Sequence, residues 1–124
     1  MRLGFCLIFT LPGLPCIYYG DEIAMQGYKD PFNRAYFDWN CKDETLRGCV
    51  RELAAFRAGC DAFREGRLRI LQAEGGLLIF ERYTDRCRAG VVINRSQAPI
   101  QLTIGGRQIT VPEYGYQLVE GGNV

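Results

Sequence analysis

Two adjacent carboxylates, Asp21 and Glu22, are the residues whose type could supply acid–base or nucleophilic catalysis. The 124-residue chain contains no histidine, so such chemistry would fall to carboxylates, cysteine, tyrosine or lysine, and Ser-His-Asp and Cys-His systems are excluded. Adjacent side chains of an extended chain point to opposite faces and cannot converge on one bond. We therefore interpret both as structural or rim residues of a loop, and no catalytic residue is assigned in this chain.

Six cysteines are the other reactive side chains, but no C-x-x-C pair occurs among them. Without histidine or paired cysteines no zinc site is indicated, and Asp21, Glu22 and Asp30 lack the spacing of a calcium loop. No metal and no cofactor are therefore predicted. Because Cys49 and Cys60 fit an apolar periodicity, we favour reduced cysteines acting as small hydrophobes in the cytoplasm, with disulfides as the open alternative.

Composition and charge are those of a globular domain with no evident charged partner. The chain has 15 Lys+Arg against 14 Asp+Glu, a net charge of +1, and its arginines are scattered, so we interpret them as solvated surface. The apolar run from Leu3 to Leu11 is broken by a Pro-Gly turn and is short for a signal peptide. No run approaches the ~20 apolar residues of a membrane span. Neither nucleic acid nor membrane is expected as a partner.

The loop around Asp21 lies between predicted helical and strand elements. Residues 3–11 are apolar nearly all round, which is typical of the end of a buried helix. Residues 16–19 are a continuous run of β-formers and predict a short buried parallel strand. Residues 20–40 lack sustained periodicity and predict a long loop. Apolar spacing then predicts a helix over about residues 44–63, with Asp43 as its N-cap.

A β unit is predicted after Gly66, where the pattern changes to short alternating runs. The predicted strands are Leu68 to Gln72, Leu77 to Tyr83, Ala89 to Asn94, Ile100 to Ile104, Gln108 to Val111 and Tyr116 to Val119. Gly105-Gly106 predicts a tight hairpin turn. These strands indicate an antiparallel sheet or small sandwich. The preceding piece is expected to be incomplete, because one buried strand with two helices leaves its own edges unpaired.

The segment LPGLPCIYYGDE at residues 11–22, followed by Gly27, by DPFNR at residues 30–34 and by Trp39, resembles the α-amylase clan of glycoside hydrolases. The DPFNR element is similar in particular to the neopullulanase, cyclomaltodextrinase and maltogenic amylase branch. The resemblance implies an α+β chain. Residues 1–63 would be the C-terminal end of a catalytic TIM (β/α)8 barrel, with a helix, the eighth strand, a substrate loop and the last helix. Residues 64–124 would be a small all-β antiparallel C-terminal sandwich domain.

The resemblance also implies which chemistry lies outside these residues. The family's catalytic Asp, Glu and Asp lie at the ends of the fourth, fifth and seventh strands and would precede Met1. A retaining glycosidase needs two carboxyl groups about 5 to 5.5 Å apart across one glycosidic bond. We therefore expect a full-length parent that hydrolyses starch, maltooligosaccharides or cyclodextrins, and we expect the 124-residue chain alone to be inactive.

Asp30 and Arg34 are the substrate-binding residues that the resemblance implies. In that branch the matching Asp and Arg lie on the loop after the eighth strand and hydrogen-bond sugar hydroxyls. A carboxylate accepts from hydroxyls and a guanidinium donates to oxygens, so together they can fix one glucosyl ring. A local ion pair that orders the loop is the alternative, and both roles can hold at once. Tyr28 and Trp39 are further candidates for stacking on sugar.

Other function classes stay open beside this one. The β unit could be a non-catalytic carbohydrate-binding module that uses Tyr83, Tyr114 and Tyr116, although alternating strands assign such tyrosines mainly to packing. A purely structural domain without a ligand is a third class. The expected ligand is an α-glucan oligosaccharide bound through the parent.

The isolated chain is also expected to self-associate through residues 1–60. Without the rest of the barrel, the apolar residues of the first helix and the last helix would form an exposed patch, and such patches drive association. The first-helix residues concerned are Leu3, Phe5, Ile8 and Phe9.

Overall fold

The fold is that of a computed structural model, which describes residues 1–41 and 43–121. The helices precede all the described strands, and from α2 onward the order is the predicted one. The helices are α1 (Arg2–Thr10), α2 (Thr45–Gly59) and α3 (Ala62–Glu65), with 3-10 turns at Asp21–Ile23 and Phe32–Arg34. The strands are β1 (Arg67–Glu74), β2 (Leu77–Tyr83), β3 (Arg88–Asn94), β4 (Ile100–Ile104), β5 (Arg107–Val111) and β6 (Gly115–Glu120).

The six strands confirm the predicted β unit. Four form an antiparallel sheet in the order β1-β2-β3-β6, and β4 and β5 form a separate hairpin. Gly105 and Gly106 both have positive φ, as the predicted tight turn requires. Alternation along the strands gives the four-stranded sheet two apolar faces. Phe80 and Val91 lie in a core with the helices, whereas Ile79 and Val92 lie in a second core with β4 and β5.

Helix α1 packs one face against the rest of the chain. Phe5 and Phe9 are only 4% and 8% exposed, because α2 and the sheet pack on the face that carries them. The expected apolar patch is therefore wrong for these two residues, whereas Ile8 on the other side of the helix is exposed. No helix of the described part of the chain is both long and apolar enough to cross a membrane.

The predicted last helix is present but broken near its end. Asp43 accepts the backbone N–H of Thr45 at 2.8 Å, as expected at a helix start, although the N-cap position itself is Glu44. Helix α2 ends at Gly59, and Cys60 is extended, with φ −137° and ψ 120°. Helix α3 then begins at Ala62. The apolar spacing that continues through this break does not reveal it.

The prediction of reduced cysteines is wrong for one pair. Cys60 forms a disulfide with Cys87 in the β2–β3 turn, with Cα atoms 6.4 Å apart. The two cysteines are 27 residues apart in sequence, and they lie close together because α2 packs on the sheet. The sequence alone does not predict that contact. Cys6 and Cys49 are buried free thiols, as predicted, and burial raises the pKa of Cys6 to about 12.

The predicted strand at residues 16–19 is not a strand in this structure. Residues 16–18 have no regular secondary structure and Tyr19 lies in a turn, and Tyr18 and Tyr19 are 54% and 43% exposed. No described strand pairs with it. A parallel strand needs hydrogen-bonded neighbours, so β-forming composition alone does not pair this segment. The predicted loop over residues 20–40 is confirmed and contains the two 3-10 turns.

Candidate functional site

The structure brings Asp30 and Arg34 together on the long loop. Arg34 Nε donates to Asp30 Oδ1 at 2.7 Å across the 3-10 turn Phe32–Arg34. Their side chains are 62% and 71% exposed, so the pair lies open to solvent. The bond uses one carboxylate oxygen and Nε, which leaves Oδ2 and the two Nη groups for other partners. The local ion pair is therefore present, and binding of a sugar by the same residues stays a prediction.

Asp21 and Glu22 shape the loop upstream of this pair. Asp21 Oδ2 accepts the N–H of Tyr18 at 3.2 Å, and Glu22 Oε2 accepts the N–H of Gly20 at 2.9 Å. Gly20 has φ +91°, and a Cβ there would lie 2.6 Å from the Met25 sulfur, so the turn requires glycine. Both carboxylates therefore have the structural role predicted for them.

An aromatic loop surface surrounds the Asp30–Arg34 pair in sequence and is exposed in the structure. It consists of Tyr28, Phe32, Tyr36 and Trp39. Tyr36 is 99% and Trp39 is 86% exposed. All four are exposed because no described element covers the loop. The candidates for sugar stacking, Tyr28 and Trp39, are both accessible.

The tyrosines of the β unit are largely engaged within the protein. The ring of Tyr83 lies within 5.6 and 5.9 Å of two strand guanidinium groups. The hydroxyl of Tyr116 donates to Glu52 Oε2 at 3.0 Å, and burial raises its pKa well above the usual range. Tyr114 is the exposed one, at 55%. Packing is therefore the main role of Tyr83 and Tyr116, as predicted.

Two arginines that the sequence assigned to solvated surface support the start of the loop instead. Arg82 is only 1% exposed, and its guanidinium donates to the carbonyls of Thr10, Gly66 and Arg67. Arg57 is half-buried and donates to the carbonyls of Phe9 in α1 and Gly13 in the turn after it. Strand alternation puts Arg82 on the same face of β2 as Phe80. That signal was missed because an arginine interrupts the apolar pattern of this face and is usually exposed. Among the described residues no group of three His, Cys, Asp or Glu could hold a metal ion.

Comparisons with known proteins agree on one family. The cyclomaltodextrinase of Geobacillus thermopakistaniensis (strain MAS1) is 34% identical over 113 residues, covering 86% of this chain and 19% of that protein. The amylopullulanase of Thermoanaerobacterium thermosulfurigenes is 31% identical over 116 residues, covering 84% of this chain and 6% of that protein. The ligand-free cyclic alpha-maltosyl-(1→6)-maltose hydrolase from Arthrobacter globiformis superposes with a TM-score of 0.87 at 26% identity. The chain belongs to the α-amylase family.

This α-amylase-family chain matches the C-terminal part of the family's enzymes, and the predicted α+β fold class is confirmed. The superposition covers 98% of this chain and 29% of the Arthrobacter hydrolase. The chain therefore spans a minor part of its relatives, less than a fifth of the two curated ones. Those full-length relatives are glycoside hydrolases in the branch that the DPFNR element predicted. No family model matches the chain.

Proposed function

We propose that this chain is the C-terminal part of a retaining α-glucan hydrolase, to which it contributes a substrate-binding loop and an accessory β domain. The observation that carries the proposal is the open Asp30–Arg34 pair, held in a loop of a chain that superposes on the Arthrobacter hydrolase over 98% of its length. Maltooligosaccharides or cyclodextrins are the proposed substrates of the full-length protein, since relatives include a cyclomaltodextrinase.

Residues 1–63 are proposed as the end of a barrel and residues 64–124 as the β domain. Two features of residues 1–63 support the first assignment. Residues 16–19 have no strand partner among the described residues, and the aromatic loop surface has no cover. Neighbouring barrel strands would pair with the first and bury part of the second.

The chain alone is proposed to be inactive, because the resemblance implies that the catalytic carboxylates lie upstream of Met1, and Asp21 and Glu22 hold turns of the loop. The test of the proposed function is to determine the coding sequence upstream of Met1. We expect an open frame that supplies a nucleophilic Asp, an acid/base Glu and a third Asp at strand ends. A stop codon directly upstream would contradict the proposal, as would detectable maltotriose hydrolysis by the purified chain.

Replacing Asp30 by alanine in the full-length protein is expected to weaken glucan binding. Loss of a charged hydrogen-bond acceptor for sugar hydroxyls should raise KM for maltotriose about tenfold, equivalent to about 1.4 kcal/mol. The matched control is Asp61→Ala, which breaks another exposed Asp–Arg pair, with Arg64. Steady-state kinetics measures both. An unchanged KM in Asp30→Ala would leave the pair with only its local role in the loop.

A non-catalytic carbohydrate-binding β module is the alternative function, and exposed Tyr114 is the observation that favours it. That module predicts maltooligosaccharide binding by the isolated chain that Tyr114→Ala abolishes and Asp30→Ala does not. Isothermal titration calorimetry with maltoheptaose distinguishes the two functions. The engagement of Tyr83 and Tyr116 within the protein leaves this module little aromatic surface.

The isolated chain is proposed to self-associate, but through the aromatic loop surface more than through α1, whose phenylalanines are buried. Exposed aromatic side chains in one loop form an apolar patch that association removes from water. We expect the weight-average mass in analytical ultracentrifugation to rise with concentration. The double variant Tyr36→Ser/Trp39→Ser should stay monomeric, whereas the control Tyr114→Ser should associate like the unmodified chain. A monomeric unmodified chain at all concentrations would contradict this.

A further inference from the structure

We propose that Arg57 of α2 is a positioning residue for the substrate loop, because it fixes the turn from which that loop begins. The inference rests on the proposed function, in which Asp30 and Arg34 of that loop bind the glucan. Arg57 itself lies outside the loop and is assigned no contact with substrate. It would act through the backbone between α1 and the loop.

The guanidinium of Arg57 joins two points of that backbone. Nη1 donates to the carbonyl of Phe9 at 2.7 Å, and Nη2 donates to the carbonyl of Gly13 at 2.6 Å. The last carbonyls of a helix have no partner within the helix, and a cation is favoured at this end. Gly13 has φ +122°, a backbone conformation in which any residue with a side chain would be strained. The turn therefore needs glycine at this position. Arg57 therefore spans the end of α1 and the turn after it.

The loop beyond Gly13 has few other attachments. The described hydrogen bonds of residues 14–41 join residues of that same segment, such as the 2.9 Å bond from the Tyr19 hydroxyl to the Ala35 carbonyl. Ile23, which is 7% exposed, anchors the first 3-10 turn, and that turn contacts α2. The half-buried Ile17 also packs against the core beside the helices. The course of the loop is thus set by Arg57 at its start and by Ile17 and Ile23 after it, and the attachments at Arg57 and Ile23 lead to α2.

Arg57 is more informative than Arg82 for testing this role. Arg82 donates to the Thr10 carbonyl, next to the Phe9 carbonyl that Arg57 binds, but it also bonds the carbonyls of Gly66 and Arg67 between α3 and β1. Its removal would disturb the core as well as the turn. Arg57 is half-buried, and within residues 1–41 and 43–121 it bonds only the two carbonyls at the turn, so its replacement can move the loop without unfolding the chain.

The first test uses the 124-residue chain and amide hydrogen exchange. Arg57→Met keeps the apolar stem and removes both donors. We expect amides of residues 21–25 to exchange about tenfold faster, while β2 and β3 amides keep their rates. Arg51→Met is the matched control, because Arg51 lies on the same helix and, in the part of the chain that the structure describes, its side chain bonds only Glu44. Equal loop exchange in the two variants would overturn the inference, whatever the parent protein does.

The second test uses the full-length protein that the proposed function requires. Arg57→Met should raise KM for maltotriose about tenfold with kcat changed less than about twofold, because the catalytic carboxylates are not displaced. Arg57→Lys, which keeps the charge and can bond one carbonyl, should recover part of KM. An unchanged KM in Arg57→Met, alongside a raised KM in Asp30→Ala, would overturn the inference alone. An unchanged KM in Asp30→Ala would instead contradict the proposed function.

Discussion

Replacing Arg82 by alanine is expected to destabilise the chain by about 4 kcal/mol, a loss large enough to unfold many small domains. The guanidinium donates to the carbonyls of Thr10, Gly66 and Arg67, which belong to the end of α1, the end of α3 and the start of β1. The bond to the Thr10 carbonyl is buried and the other two are half-buried. A buried carbonyl left without a donor costs about 1–3 kcal/mol, a half-buried one less, and truncation adds a cavity in the core.

The charge of Arg82 adds to this expectation. No described carboxylate forms an ion pair with it, and burial lowers its pKa, with the nearby Arg57 adding to the effect. A guanidinium nevertheless stays protonated. The three carbonyls and the face of the Phe63 ring, 5.8 Å away, therefore stabilise its positive charge in place of water. The residue therefore links the helices to the sheet through bonds that no apolar side chain replaces.

Urea denaturation followed by circular dichroism measures the change. Arg107→Ala serves as the control, since Arg107 is exposed at the start of β5, and its replacement should cost less than about 0.5 kcal/mol. Arg82→Lys should fall between the two, because a lysine keeps the charge but cannot reach three carbonyls with a planar fork. Equal midpoints for Arg82→Ala and Arg107→Ala would show that the buried bonds contribute nothing net.

The β unit could be predicted from the sequence because its determinants are local. Alternation at Ile100, Leu102 and Ile104 defines a strand with one apolar face, and Gly105-Gly106 supplies the positive φ values of the turn. Each strand pairs with one that follows closely in the chain, except β6, which pairs with β3. Because these determinants are local, the ends of the predicted strands differ from the observed ends by no more than two residues.

Features that depend on distant partners could not be predicted. Residues 16–19 have the composition of a strand, but pairing needs neighbours that local composition does not supply. The break at Cys60 and its bond to Cys87 depend on how α2 packs on the sheet. Arginine side chains are usually exposed, so the sequence did not predict that Arg82 is buried and bonded to carbonyls.

The candidate site was predictable in identity but only partly in geometry. The DPFNR element singled out Asp30 and Arg34, and their four-residue spacing is short enough for the ion pair seen across the 3-10 turn. Arg57, which holds the loop from outside it, lies 44 positions along the chain from the Gly13 carbonyl that it binds. Such a contact follows from the packing of α1 on α2, which periodicity does not specify.

Breaking the Cys60–Cys87 disulfide is expected to lower the free energy of unfolding by about 3 kcal/mol. A cross-link between residues separated by 27 positions removes conformational freedom mainly from the unfolded chain, and the stabilisation grows slowly with loop length. The bond also ties the end of α2 to the β2–β3 turn, so its loss should increase local opening where α2 meets the sheet.

Cys60→Ala, Cys87→Ala and the double variant should lose about the same stability, because each of them removes one and the same bond. Dithiothreitol should lower the urea midpoint of the unmodified chain and leave all three variants unchanged. Cys16→Ala, which removes an exposed free thiol, is the control and should match the unmodified chain. A reductant-insensitive midpoint, together with six alkylated cysteines in a non-reducing peptide map, would contradict the bond.

The same peptide map, made on protein from its native source, also tests the expected cytoplasmic location. That expectation relied on reduced cysteines, whereas disulfides persist mainly in oxidising compartments.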